Sequence, residues 1–211
     1  NLKSKDVYTQ AIIQAYTIVD ENLSQVLQLS KPKDVVALMG DHGMEKSYSV
    51  INLSKVMKDL KVSDKVNLVT SGSLALVYPK NGVEIENLGT MVSNYFSENT
   101  WNSENPVTHI YEKHEHQNDW SFGQASLALM SHTNLYFSTK PNTDSLFLEA
   151  SAKGMHGHHK SFSGMNTAMF IKTSSNIKRD LGPVNLIHAV PSFTKLLGIQ
   201  PPKNCEGKPL F

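Results

Sequence analysis

The spacing of apolar residues along the chain predicts alternating helices and strands. From Asp6 to about Leu29, apolar residues recur mostly at three- and four-residue steps, which predicts an amphipathic helix. Residues 34–39 form a short apolar run with two valines, a pattern that predicts a strand buried inside a parallel sheet. Further apolar runs predict helices at 52–60, 83–96 and 191–198, strands at 66–70, 74–77, 106–111, 124–129, 136–138 and 165–171, and a strand or extended segment at 184–189. The chain is therefore predicted to have an α/β fold.

Composition and charge narrow the class of protein. The 211-residue chain is long enough to bury a hydrophobic core of its own. Lys and Arg number 20 against 19 Asp and Glu, so the sequence lacks the basic excess that nucleic-acid-binding surfaces show. A single cysteine, Cys205, excludes a framework of internal disulfides. No apolar run approaches the roughly 20 residues of a membrane-spanning helix. These features are typical of a globular domain.

A Gly-Asp-His-Gly-Met segment at 40–44 directly follows the first predicted strand. Asp41 and His42 would then lie at the carboxyl end of a strand, which is where open α/β sheets place their ligands. A carboxylate oxygen and an imidazole nitrogen together suit Zn²⁺ or a similar divalent ion. The flanking glycines allow the backbone to turn sharply and to approach an ion closely. The alternative interpretation of the same residues is a turn beside a surface histidine.

A second histidine-rich segment, 154–160, reads Gly-Met-His-Gly-His-His-Lys and carries three of the nine histidines. Such density is typical of metal binding, and a flexible solvated loop is the alternative. Glycines bracket His156, and the predicted strand at 165–171 follows. Asp41, His42 and His156 are therefore expected to converge from separate loops over one edge of the sheet.

A short Ser-Gly-Ser segment at 71–73 joins two of the predicted strands. We predict that it forms an ordinary hairpin turn. Its backbone N–H groups offer the alternative of a cradle for an anion.

These motifs together resemble the C-terminal part of a type I phosphodiesterase/nucleotide pyrophosphatase, a family of the alkaline phosphatase superfamily. That family carries an S/G-D-H-G-M motif after a strand, matched here by 40–44. It carries G-x-H-G before a Met-containing strand, matched by 154–157 and Met165. It closes with Pro-Thr-x-x-x-Leu-Leu-Gly-Ile, matched by 191–199 with Ser192 in place of the Thr, and a proline-rich tail follows. The resemblance runs in the same order from about residue 7 to 210.

The resemblance implies an alkaline-phosphatase-like sheet flanked by helices, with a small β-rich insertion. Residues 1–211 would be the C-terminal part of a single catalytic domain. It also implies two divalent metal ions, with zinc the expected metal: Asp41 and His42 would bind one ion and His156 the other. His158 and His159 stand where relatives often have part of a Tyr-Asp-Asn sequence. They are expected to touch the substrate or to support a metal ligand.

The family's catalytic nucleophile, a Thr or Ser, lies far upstream of the Asp-His-Gly motif, as do an Asp ligand and an Asp-x-x-x-His pair. No Asp-x-x-x-His occurs before Asp41 in this chain. We therefore expect the chain to be a piece of a longer protein and to contain no nucleophile of its own. Because a zinc site needs about three protein ligands, the chain alone is expected to bind metal weakly.

The expected function of the intact protein is metal-dependent hydrolysis of a phosphoester, with phosphodiesters or nucleotide pyrophosphates as substrates. One alternative is another hydrolase of the same superfamily, acting on phosphate monoesters, sulfates or phosphonates. A second alternative is a non-catalytic fragment or binding module. The expected partner is a small-molecule phosphoester, with nucleotides as candidates, and the sequence leaves the oligomeric state open. The resemblance favours a location outside the cytoplasm.

Overall fold

A computed structural model describes residues 2–83, 85–116, 122–140, 143–174 and 178–211. The chain divides into two compact units, one of Asn1–Gly40 with Ala168–Phe211 and the other of Asp41–Thr167. The helices are α1 (Leu2–Leu29), α2 (Leu53–Asp59), α3 (Leu88–Glu98), α4 (Lys113–His116) and α5 (Ala189–Leu197). The strands are β1 (Val36–Met39), β2 (Glu45–Asn52), β3 (Val66–Ser71), β4 (Leu74–Pro79), β5 (Val107–Glu112), β6 (Leu127–Ser131), β7 (Asn134–Ser138), β8 (Phe147–Glu149), β9 (Gly154–Met155) and β10 (Met169–Lys172). That residues 1–211 belong to one catalytic domain stays a prediction.

The first unit contains a two-stranded antiparallel sheet of β1 and β10, in register from Val36–Lys172 to Met39–Met169. The strand predicted at 34–39 is confirmed, and Asp41 and His42 follow it as expected. Its predicted environment is wrong, because alternate residues of β1 are exposed and β10, its ladder partner among the described residues, runs antiparallel. An apolar run indicates a strand, but the direction of pairing depends on which distant segment reaches it.

The long helix α1 confirms the helix predicted over 6–29 and leaves much of its apolar surface exposed. Within the ranges that the structure describes, no helix combines the length and the apolar character needed to cross a bilayer. The helical periodicity therefore predicted the element but not the burial of its apolar residues. The large exposed apolar side chains of α1 include those of Val7, Ile12, Ile13, Tyr16, Ile18, Val19, Val26, Leu27 and Leu29.

The second unit contains a four-stranded sheet in the order β3-β4-β6-β5, with every neighbouring pair antiparallel. Many of its apolar residues form a core with those of α2 and α3, and a second cluster includes Leu76 and Ala128. Burial of apolar surface is the main stabilising contribution. The predicted hairpin of β3 and β4 is confirmed, with Gly72 of the turn at φ +59°. The largest fully buried side chains include Phe96, Ile51, Leu53, Met57, Leu127, Leu129 and Leu135.

Strand β2 is the centre of the other sheet in this unit, and the apolar pattern did not predict it. It pairs with β7 in parallel and with β8 and β9 in antiparallel orientation. Its first half reads Glu-Lys-Ser-Tyr-Ser, and Ser47 is nonetheless only 1% exposed. Lys46 and Tyr48 beside it are exposed, so a small polar residue at the buried position hides the alternation on which strand prediction depends.

Element boundaries differ from the predictions near asparagines. α3 begins at Leu88 rather than 83, after Asn87 in the left-handed region at φ +55°. The strand or extended segment predicted at 184–189 is wrong, because Leu186–His188 forms a 3₁₀ turn and α5 follows. The side chain of Asn185 accepts a hydrogen bond from the Ile187 N–H, and such a bond starts a helical turn. The predicted end at Gly198 is confirmed, with φ +67°.

A polar contact joins α2 to α3 on the surface of the second unit. Lys55 Nζ lies 2.8 Å from Asp59 Oδ2, and Tyr95 Oη donates a hydrogen bond of 2.6 Å to the same oxygen. These bonds, with that from Lys55 the larger cause, lower the pKa of the Asp59 carboxyl. Burial, followed by the nearby Asp59 carboxylate, raises the pKa of Tyr95.

Tyr95→Phe is expected to destabilise the protein by about 1 kcal/mol at neutral pH, because Asp59 loses a hydrogen bond. A lowered folded-state pKa means that this contribution is present above the ordinary value of 3.8 and is lost as the pH falls through the folded-state value. Urea denaturation at neutral pH and well below 3.8 measures both effects. The control Tyr48→Phe changes a tyrosine that is 55% exposed and should change stability by less than about 0.5 kcal/mol. Equal losses in both variants would contradict the assignment.

Candidate metal centre

A short antiparallel ladder between β2 and β9 brings the two motif segments together. Glu45 pairs with Met155, and Lys46 pairs with Gly154. His42 precedes this ladder on one strand and His156 follows it on the other. Because antiparallel partners leave a ladder at the same end, the two histidines meet beyond it.

The predicted convergence of three side chains is what the structure shows. The rings of His42 and His156 stack with centroids 4.1 Å apart and an interplanar angle of 17°. Asp41 Oδ2 lies 3.2 Å from His42 Nε2. The carboxylate is 85% exposed and the His42 side chain 37% exposed, so the group opens to solvent. Their role as metal ligands stays a prediction.

Local hydrogen bonds orient the two donor atoms of Asp41 and His42. His42 Nδ1 lies 2.9 Å from the carbonyl oxygen of Gly43. A carbonyl only accepts, so the proton of the neutral ring sits on Nδ1 and the lone pair on Nε2. The backbone N–H of His42 donates to Asp41 Oδ1 at 3.0 Å, which leaves Oδ2 toward Nε2. Two acceptors 3.2 Å apart therefore face each other, and a cation or a proton between them satisfies both.

This spacing fits two ligands of one metal ion. Two ligands bound at 2.0–2.2 Å to a tetrahedral ion lie roughly 3.3–3.5 Å apart. Among the residues that the structure describes, no group of three or more His, Cys, Asp or Glu side chains could hold a metal ion. If Asp41 and His42 bind a metal ion, they would supply only part of its ligands.

The β3–β4 turn supports the loop that carries His156. The Ser73 N–H donates a hydrogen bond of 2.9 Å to the His156 carbonyl oxygen. Gly157, at φ +84°, packs so that a Cβ there would lie 3.0 Å from the Ser71 carbonyl oxygen. The segment 71–73 is thus the predicted hairpin turn, and its Ser73 N–H is occupied by the histidine loop rather than free to bind an anion.

His158 lies in the interior, where it supports the same loop. It is 6% exposed, and its Nε2 lies 2.9 Å from the Ser73 hydroxyl oxygen. Burial lowers the pKa of His158 and outweighs the opposing effects of the Ser131 backbone and Glu45. Of the two roles predicted for His158, support of a ligand fits this position. A buried ring does not fit contact with substrate.

His159 belongs to a stack of rings on β5. Its ring lies over that of His109 with centroids 3.8 Å apart, and the stack continues from His109 to Tyr111 at 5.8 Å. Burial, followed by the neighbouring His109, lowers the pKa of His159. The sequence predicts no site role for His109 or Tyr111. Their alternate positions, on one face of a strand, were the available signal.

The sequence model of the type I phosphodiesterase/nucleotide pyrophosphatase family matches residues 5–160. The chain therefore belongs to this family, within the alkaline phosphatase superfamily. No individual curated protein matches the chain.

Two solved structures are similar to part of this chain. Phosphonoacetate hydrolase from Sinorhizobium meliloti 1021, in complex with phosphonoformate, aligns with a TM-score of 0.52 and 14% identity over 74% of this chain. Murine ectonucleotide pyrophosphatase/phosphodiesterase 5 aligns with a TM-score of 0.41 and 17% identity over 65% of this chain. The chain spans 39% and 33% of the lengths of these two structures. The predicted α/β, alkaline-phosphatase-like fold class is confirmed, as part of such a fold.

His158→Ala is expected to destabilise the protein by about 2 kcal/mol, because it removes a buried ring and leaves the Ser73 hydroxyl without that partner. The control His114→Ala changes a side chain that is 74% exposed and should change stability by less than about 0.5 kcal/mol. Urea denaturation at neutral pH gives both values. A similar effect of the two substitutions would contradict the supporting role of His158.

Proposed function

We propose that the intact protein is a metal-dependent phosphoester hydrolase that acts on phosphodiesters or nucleotide pyrophosphates. The observation that carries the proposal is the 3.2 Å approach of Asp41 Oδ2 to His42 Nε2, with the His156 ring stacked on His42. All three residues lie within the matched range 5–160, in the segments that resemble the family's motifs. The substrate is a small molecule, nucleotides are candidates, and the family resemblance favours a location outside the cytoplasm.

In this proposal Asp41 and His42 hold one divalent ion and His156 holds the second, with zinc the expected metal. Bound ions would stabilise the negative charge that develops on the phosphoryl oxygens during displacement. The chain's own residues keep the donor atoms in place. The Gly43 carbonyl keeps the proton of neutral His42 on Nδ1, and the Ser73 N–H holds the backbone of His156.

We assign no catalytic nucleophile to residues 1–211. Family resemblance implies a Thr or Ser elsewhere in the intact protein that attacks phosphorus and forms a covalent intermediate. Asp41, His42 and His156 contribute charge and position rather than proton transfer. Their donor atoms must be unprotonated to bind metal, so binding weakens in acid.

The second candidate is a hydrolase of the same superfamily with another substrate class: phosphonates, phosphate monoesters or sulfates. Phosphonates are favoured among these by the fold likeness to a phosphonoacetate hydrolase at a TM-score of 0.52. The third candidate is a non-catalytic binding module. This candidate predicts that even the intact protein turns over none of these substrates, whereas the other two predict turnover.

The 211-residue chain is expected to bind Zn²⁺ weakly and through His42. Histidine ring signals in ¹H–¹³C NMR during a Zn²⁺ titration measure this binding, and the His42 signals should shift. His42→Ala should weaken the binding of Zn²⁺ to the chain, while the exposed control His114→Ala should leave the shift of the His42 signals unchanged. Acidification should reverse the binding, because ligands bind metals in their deprotonated forms. Saturable binding that is unaffected by His42→Ala would contradict the ligand assignment.

The chain alone is expected not to hydrolyse phosphodiesters, whereas the intact protein is expected to do so in the presence of Zn²⁺. Loss of a metal ligand should lower the activity of the intact protein by about 100-fold or more in His42→Ala and in His156→Ala. Turnover of bis(4-nitrophenyl) phosphate, 4-nitrophenyl phosphate, 4-nitrophenyl sulfate and phosphonoacetate separates the candidate functions. Robust turnover by the chain alone would contradict the expectation that it holds only part of the site. Full activity in both variants would contradict the assignment of His42 and His156 as metal ligands.

A further inference from the structure

Two glycines, Gly43 and Gly164, make close contacts next to the candidate metal centre. The Gly43 N–H donates a hydrogen bond of 3.0 Å to the Met165 carbonyl oxygen, in the 3₁₀ turn Ser163–Met165. A Cβ on Gly43 would overlap the carbonyl oxygen of Gly164 and would lie 2.7 Å from that of Asn166. Both obstacles are backbone atoms, which cannot rotate away as the end of a side chain can.

The second glycine, Gly164, is in contact with the start of β2. A Cβ on Gly164 would overlap the carboxylate of Glu45. Glu45 pairs with Met155 in the β2–β9 ladder, so this contact lies beside the ladder that precedes His156. Here the obstacle is the far end of a flexible side chain, so the requirement for glycine is less strict than at Gly43.

Close approach, rather than backbone conformation, explains both glycines. Neither Gly43 nor Gly164 has a φ in the left-handed region, so alanine could adopt either backbone conformation. Gly157 is different, because its φ is +84°. An alanine at 43 or 164 is therefore disfavoured only by its contact with nearby residues of the same chain.

The contacts of Gly43 and Gly164, together called the glycine crossing, lie next to the pair of His42 and His156. The β2–β9 ladder has two residue pairs and aligns the two strands at Glu45 and Lys46. His42 lies beyond its end and is adjacent to Gly43, which is anchored to the turn at 163–165. The distance between the His42 and His156 rings therefore depends on the ladder and on the contacts of Gly43 with the 163–165 turn, in addition to the hydrogen bond from the Ser73 N–H to the His156 carbonyl.

We propose that Gly43 and Gly164 are positioning residues for the candidate metal centre: their backbone crossing sets the separation of His42 and His156. The expected effect of these glycines on metal affinity rests on the proposed function, whereas their expected effect on the distance between the two rings does not. A displacement of about 1 Å is enough to cost about 100-fold in a positioned site. Groups that orient metal ligands typically contribute about 10- to 100-fold in metal affinity.

The test uses Gly43→Ala and Gly164→Ala in the 211-residue chain, with two readouts. Nuclear Overhauser contacts between the ring protons of His42 and His156 report their 4.1 Å stacking without any metal. Zn²⁺ titration reports affinity. The matched control is Gly89→Ala, in which a Cβ would also overlap a glutamate carboxylate, that of Glu112 at the end of β5.

Gly43→Ala is expected to lose the ring contact and to bind Zn²⁺ about tenfold or more weakly, while Gly89→Ala retains both. Gly164→Ala should show a smaller loss. Adding Glu45→Ala should restore it to the level of Glu45→Ala alone, because the overlapped carboxylate is then gone. No such truncation is available for Gly43, whose obstacles are carbonyl oxygens.

Retention of the ring contact and of Zn²⁺ affinity within about twofold in both glycine variants would overturn the proposal. If Gly43→Ala does not fold, Gly164→Ala and its Glu45→Ala rescue decide the question. If Zn²⁺ never shifts His42 in the unmodified chain, the proposed function fails. The ring contact in the variants then decides the positioning role on its own.

Discussion

The arrangement of the candidate metal centre depends on the ladder that pairs Glu45 and Lys46 of β2 with Met155 and Gly154 of β9. It joins segments more than a hundred residues apart and places both motif loops at one end of a strand pair. The same strand β2 also pairs antiparallel with β8, so the ladder is the end of a longer contact between β2 and residues 147–155. The backbone contacts of Gly43 with the 163–165 turn supply a further point of attachment.

A buried polar group provides the support behind His156. The Ser73 hydroxyl lies 2.9 Å from His158 Nε2, donates to the Leu135 carbonyl oxygen at 3.0 Å, and belongs to the residue whose N–H holds His156. Burying an imidazole is unfavourable unless it is hydrogen-bonded, so this contact restricts where the loop can sit. The candidate centre thus combines a solvent-exposed carboxylate, that of Asp41, with a desolvated support.

Sequence reasoning identified the residues of the centre better than the residues that hold it together. Asp41, His42 and His156 belong to local motifs whose chemistry is legible within a few positions. Ser73, Gly164 and His109 carry no such signal, because each acts through a partner far away in the chain. β2 went unpredicted for a related reason, since Ser47 is buried by neighbours that a local pattern does not reveal.

The sequence by itself determined that helices and strands alternate, that α1 and the β3–β4 hairpin form, and which three side chains carry the candidate metal chemistry. These features depend on periodicity, turn residues and side-chain types, all of which act over a few residues. Only the tertiary structure decided that β1 pairs antiparallel with β10 and that His158 turns inward while His159 stacks on His109. Each of these outcomes is a contact between distant segments. Its energy exists only after the chain has folded, so no local pattern records it.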